Sequence, residues 1–102
     1  MLGPLASLSS VNAAPQSLPG ADLIAQGLAD LDAHRETIEA LLVSIGAPRL
    51  QSLGYELNSP YDSPEHRLYL RLAREKGNAA HSAYNALIRR LVSFERAARC
   101  AS

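Results

Sequence analysis

Residues 22–45 read DLIAQGLADLDAHRETIEALLVSI, and the fold class turns on this stretch. Ile24, Leu28, Leu31, Arg35, Ile38, Leu42 and Ile45 recur at alternating steps of four and three. That spacing holds a single stripe on one side of a helix with 3.6 residues per turn. Leu23, Leu41 and the small Gly27 widen the stripe. Asp22 stands where an N-cap belongs, Pro19-Gly20 bar an earlier start, and Gly46 followed by Pro48 supplies the stop. Arg35 interrupts the stripe, between His34 and Glu36-Thr37. Two readings stay open: one continuous helix, with the Arg35 stem snorkelling along the stripe or its head paired to Glu39, or a break into two helices with Thr37 capping the second. The absence of Gly and Pro between residues 28 and 45 favours the continuous helix.

A matching stripe closes the chain. Over about residues 79–99, Tyr84, Leu87, Leu91, Phe94 and Ala98 again step by three and four, flanked by Ile88 and Val92. Arg89, Arg90, Arg96 and Arg99 fall outside the stripe. Between the two stripes, Pro48 to Leu53 suits one helical turn closed by Gly54, and residues 55–63 suit an ordered loop pinned by Tyr55, Leu57 and Tyr61. Ser63-Pro64-Glu65 opens another helix, with Leu68, Tyr69 and Leu72 facing inward and Ala73 adding a small contact, and Lys76-Gly77 ends it. Asn78 is placed to cap the final helix. The expected fold is all-α: a small antiparallel helical bundle of two long amphipathic helices plus one or two short ones, the last long helix packing on the first. Residues 1–20 read as a flexible tail, 21–99 as a single helical domain and 100–102 as the C-terminal end.

Size and composition agree with one such domain. The chain has 102 residues, 47% hydrophobic and 20% charged, the balance of an ordinary globular chain. A domain this small buries only about 60–65% of its unfolded surface, so pairing with a second copy is a natural way to bury more. No apolar run approaches the roughly 20 residues of a membrane span. Met1 to Ala14 are apolar, but no Lys or Arg opens them and Pro4 interrupts them, so they do not read as a signal peptide. The single cysteine, Cys100, excludes an internal disulfide and fits a reducing, cytoplasmic setting.

The net charge is zero, which argues against general nucleic-acid binding, but the charge is segregated. Residues 1–62 hold two Arg against seven Asp and Glu, and residues 63–102 hold eight Lys and Arg against three Glu. Acidic and basic halves complement each other within one molecule, between two copies head to tail, or through a basic C-terminal face and an acidic partner.

No phosphate loop, dinucleotide fingerprint, His-Glu-x-x-His, cysteine pair or Gly-x-Ser-x-Gly occurs. His34, His66 and His81 sit on separate predicted elements without the Glu-x-x-His of bundle metal sites, so no metal and no cofactor is expected. One polar cluster surrounds the start of the final helix: Arg74, Asn78, His81, Tyr84 and Asn85. His81 lies one turn from both Tyr84 and Asn85, and Arg74 sits just across the Gly77 turn. An imidazole beside a guanidinium can move a proton and stabilise developing negative charge on a phosphodiester. The arrangement resembles the Arg-x(4–6)-His signature of HEPN-type helical ribonucleases and toxins, here Arg74 to His81 with six residues between. It departs from that pattern at Glu75, where Asn, Asp or His is usual. The resemblance implies a metal-independent ribonuclease with Arg74 and His81 as catalytic candidates. The alternative is structural: Asn78 a cap, His81 bonded to the loop, Arg74 paired to a carboxylate.

The sequence therefore reads foremost as a non-enzymatic helical interaction or regulatory module of bacterial type. Its expected partner is itself, as a homodimer, or another protein. The ribonuclease stands second. A small DNA-binding regulator running from Arg74 through Arg90 stands third, since Ala79-Ala80-His81-Ser82-Ala83 is poor in groups that read bases.

Overall fold

A computed structural model of the protein describes residues 18–101, and every regular element among them is helical. The helices are α1 (Ala21–Asp32), α2 (Ile38–Ile45), α3 (Ala47–Ser52), α4 (Pro64–Lys76) and α5 (Ala80–Ala101), with a 3-10 turn at Gly77–Ala79 leading into α5. The expected tail falls mostly on residues 1–17, outside the described residues. Two of its last three residues are packed: Leu18 lies against the core, and Gly20 backs onto the Arg90 carbonyl, while Pro19 is exposed.

The stripe of residues 22–45 is broken, contrary to the continuous helix that its composition favours. α1 ends in a Schellman arrangement. The Arg35 N–H donates to the Asp30 carbonyl at 2.8 Å and the His34 N–H to the Leu31 carbonyl at 3.0 Å. His34 holds the left-handed position, φ 62°, that glycine usually fills. Three residues later Thr37 caps α2, its Oγ1 accepting the Ala40 N–H at 3.1 Å. Arg35 is exposed and pairs back to Asp30 at 2.9 Å, not forward to Glu39.

Because of the break, α1 folds back on α2, and the two halves of the stripe cover each other. Gly27 makes the close approach possible. A Cβ there would stand 2.6 Å from Val43 Cγ1 and still nearer the Glu39 carbonyl oxygen. α2 is the centre of the domain. Ala40 to Ser44 are buried in succession, so the helix is covered on all sides, by α1, α4 and α5. The final helix packs on α4 and α2. α2 is the second half of the stripe at residues 22–45, and the final helix meets that half; toward α1 it comes through Gly20 and an Asp22–Arg90 pair.

Leu68 and Leu72 bring α4 onto α2, while Tyr69 and Ala73, expected inside, face outward. Leu91, Phe94 and Ala98 of α5 enter the core, with Tyr84, Leu87 and Ile88 half-buried along the same side. α3 begins at Ala47 and buries Leu50. The loop after α3 is ordered by its own bonds. The Tyr55 N–H donates to the Leu50 carbonyl, the Tyr61 N–H to Ser44 Oγ, and Asn58 to Asp32. The Tyr55 ring meets Phe94 at a centroid distance of 5.9 Å. α5 continues to Ala101, two residues past its expected end.

Candidate interaction surface

The residues of the polar cluster divide between separate environments. Arg74 is exposed in the last turn of α4, in a shallow depression of about 210 Å³ shared with Arg71 and Glu75. Asn78 is exposed inside the 3-10 turn and does not cap α5. His81 and Asn85 come together, with the Asn85 amide 3.2 Å from His81 Nε2. Tyr84 turns the other way, its ring packing edge-on to Tyr69 at 5.8 Å. Burial, and secondarily the Glu65 charge, pushes the Tyr84 hydroxyl above the usual tyrosine range. No hydrogen bond or ion pair joins Arg74 to His81, and no carboxylate among the described residues pairs with Arg74.

Two carboxylates that the sequence does not single out are buried. Asp30, 3% exposed, accepts from Gln26 and Arg35 at 2.9 Å each and from the Thr37 hydroxyl at 2.7 Å. The hydrogen bonds from Thr37 and then Arg35 outweigh its desolvation and hold its carboxyl below the ordinary aspartate value. Glu95, 4% exposed, takes Arg49 Nε on Oε1 at 2.7 Å. Its Oε2 is buried without a hydrogen-bond partner and lies beside Gly46. Both groups tie elements together: α1 to the cap of α2, and α3 to α5.

With Glu95 inside, the exposed side of α5 carries no acid at all, because Glu95 is the only Asp or Glu between Ala80 and Ala101. Arg89, Ser93 and Arg96 face solvent on that side. Arg89, Arg90 and Ser93, with Ala86, form one wall of a groove of about 420 Å³ whose other wall is the Pro19-Gly20 turn. The α5 half of the groove was legible, since Arg89 and Arg90 lie off the apolar stripe. Its Pro19-Gly20 wall was not, because only the folded chain brings that turn beside them.

Among the described residues the segregated charge is paired only in part. Across the two halves, exposed acids of the first meet cations of the second at Asp22–Arg90, 3.4 Å, and Glu36–Arg67, 3.5 Å. Arg74, Lys76, Arg89 and Arg96 enter no ion pair among the described residues, and neither do Glu39, Glu56, Asp62 and Glu65. No described helix is long and apolar enough to cross a membrane, and no three His, Cys, Asp or Glu among the described residues gather as a metal site would need. No protein-family model, curated protein or solved structure matches the chain.

Proposed function

We propose that this chain is a non-enzymatic interaction module, a small antiparallel bundle that associates with a second copy of itself as a homodimer in the cytoplasm. The observation that supports it is the charge left over: among the described residues Arg74, Lys76, Arg89 and Arg96 on α4 and α5, and Glu39, Glu56 and Asp62 on the first half of the domain, enter no ion pair, and two long surface pairs join the halves. Exposed pairs of this kind contribute only about 0–1 kcal/mol each, so the intramolecular pairing leaves most of the complementarity available to another molecule. Tyr69 and Leu70, 40% and 45% exposed, add apolar contact but not a driving force, since two such residues are ordinary for a protein surface. The exposed Cys100 thiol suits a reducing compartment. A ribonuclease would need Arg74 and His81 on one cleft, whereas Arg74 lines a depression with Arg71 and Glu75 and His81 engages Asn85.

Sedimentation equilibrium over a range of concentration and salt tests the proposal. A dimer that dissociates as ionic strength rises supports it. A monomer at every concentration in low salt overturns it.

A further inference from the structure

We infer that the groove between α5 and the Pro19-Gly20 turn is the seat for the acidic loop, residues 54–62, of a second copy of the chain. The inference rests on the self-association proposed above and names the two surfaces that meet.

The groove is cationic and smooth. Arg89 and Arg90 supply guanidinium groups and Ser93 a hydroxyl, while Ala86, Gly20 and Pro19 complete the walls without bulky side chains. Among the described residues Arg89 has no ion-pair partner, and Arg90 holds only the long, exposed contact to Asp22. Guanidinium groups bind carboxylates with two parallel hydrogen bonds, which gives such a groove a geometric preference for acidic side chains. Nucleic acid fits less well. The chain has no net charge, and no aromatic residue lines the groove to stack on a base.

The loop has the complementary character. Between Gln51 and Ser63 there is no Lys, Arg or His; Arg67 of α4 reaches the Asp62 carbonyl and the Tyr61 ring, but the Glu56 and Asp62 side chains are exposed and enter no ion pair among the described residues. Its tip, Asn58-Ser59-Pro60, is held by bonds to the body, from Asn58 to Asp32 and from Tyr61 to Ser44. A loop ordered before binding loses little conformational entropy on docking. In a two-fold dimer the exchange occurs twice, each groove receiving the other copy's loop.

The test is a charge exchange in the full-length chain, read by sedimentation and checked for folding by circular dichroism. Arg89→Glu and Glu56→Arg are each expected to weaken self-association at least tenfold. An equimolar mixture of the two variants is expected to recover a heterodimer within about threefold of wild type, because the one altered groove then faces the one altered loop of opposite sign and the other exchange is wild type on both sides. Wild-type association with both variants unaffected overturns the inference while leaving self-association standing. So does weakening by each variant without recovery in the mixture. A wild-type chain that stays monomeric removes both proposals. Should that monomer bind polyglutamate or a DNA duplex at low salt and lose it with Arg89→Glu, the groove belongs to a foreign polyanion.

Discussion

The Thr37 hydroxyl donates to Asp30 Oδ2 at 2.7 Å while its oxygen accepts the Ala40 N–H at 3.1 Å, so one side chain both caps α2 and fastens it to the end of α1. Thr37→Val keeps the shape and removes both bonds. Loss of the cap costs about 1 kcal/mol, and leaving a buried carboxylate one donor short costs roughly 1–2 more. Chemical denaturation is expected to show about 2–3 kcal/mol of destabilisation with an unchanged m-value. A change below about 0.5 kcal/mol would mean that the hydroxyl is not the fastening.

The same carboxylate sets an acid limit on the fold. Thr37 and Arg35 hold Asp30 below its usual value in the folded chain, whereas the unfolded chain titrates it at the ordinary aspartate value of 3.8. The folded state therefore binds the proton less readily. The resulting stabilisation is fully present above the unfolded value and drains away as pH falls through the lower, folded one. Unfolding free energy measured from pH 6 downwards is expected to fall more steeply for wild type than for Asp30→Asn. Parallel curves would show that another carboxylate governs acid unfolding.

His34 explains why the break between α1 and α2 was hard to read. A Schellman stop is usually announced by glycine at its left-handed position, and here a histidine occupies it at φ 62°. The periodic spacing of Ile24 through Ile45 ran straight across the turn, because a short excursion returned the stripe in register. Fold class was legible because both stripes repeat at helical spacing. The inward placing of Tyr69 failed for another reason: α4 buries only a narrow side, Leu68 and Leu72, so residues one step round the helix stay wet. Glu95 could not be read as buried. Its position beside Phe94 was visible, but its partner Arg49 is distant in sequence. The left-handed histidine also yields a prediction. His34 is exposed, so His34→Gly loses little contact and relieves strain of about 1 kcal/mol. A rise in thermal midpoint of a few degrees is expected, and a fall would show that the His34 side chain makes a contact of greater value.

Gly27 presents the opposite case. At a helix interior, alanine is favoured over glycine by about 1 kcal/mol, so Gly27→Ala would stabilise an isolated α1. In the folded chain the new methyl would meet backbone at the Glu39 carbonyl, and Val43 Cγ1 at 2.6 Å. A backbone carbonyl cannot swing aside as a side-chain tip can, so α1 and α2 must separate. Overpacking of this kind costs about 1–3 kcal/mol and outweighs the helical preference. Net destabilisation by denaturant titration is expected, and a gain in stability would refute the close approach of the two helices.

The Arg49–Glu95 pair distinguishes removing a charge from removing its partner. Arg49→Met leaves the Glu95 carboxylate buried with neither oxygen bonded, since Oε2 already lacks a partner. Breaking a fully buried pair costs about 3–5 kcal/mol, but the Arg49 side chain is 48% exposed and water can reach the vacated oxygen, so about 2 kcal/mol is the better expectation. The double variant Arg49→Met with Glu95→Leu removes the charge as well as its partner. Apolar replacement of an ion pair is often neutral or stabilising, and here it also clears the unpaired Oε2 from beside Gly46. The double variant is therefore expected to be more stable than Arg49→Met alone, close to wild type. If the two substitutions instead add as independent losses, Glu95 is held by something other than Arg49, and the tie between α3 and α5 must be sought in the packing of Leu50 and Leu91.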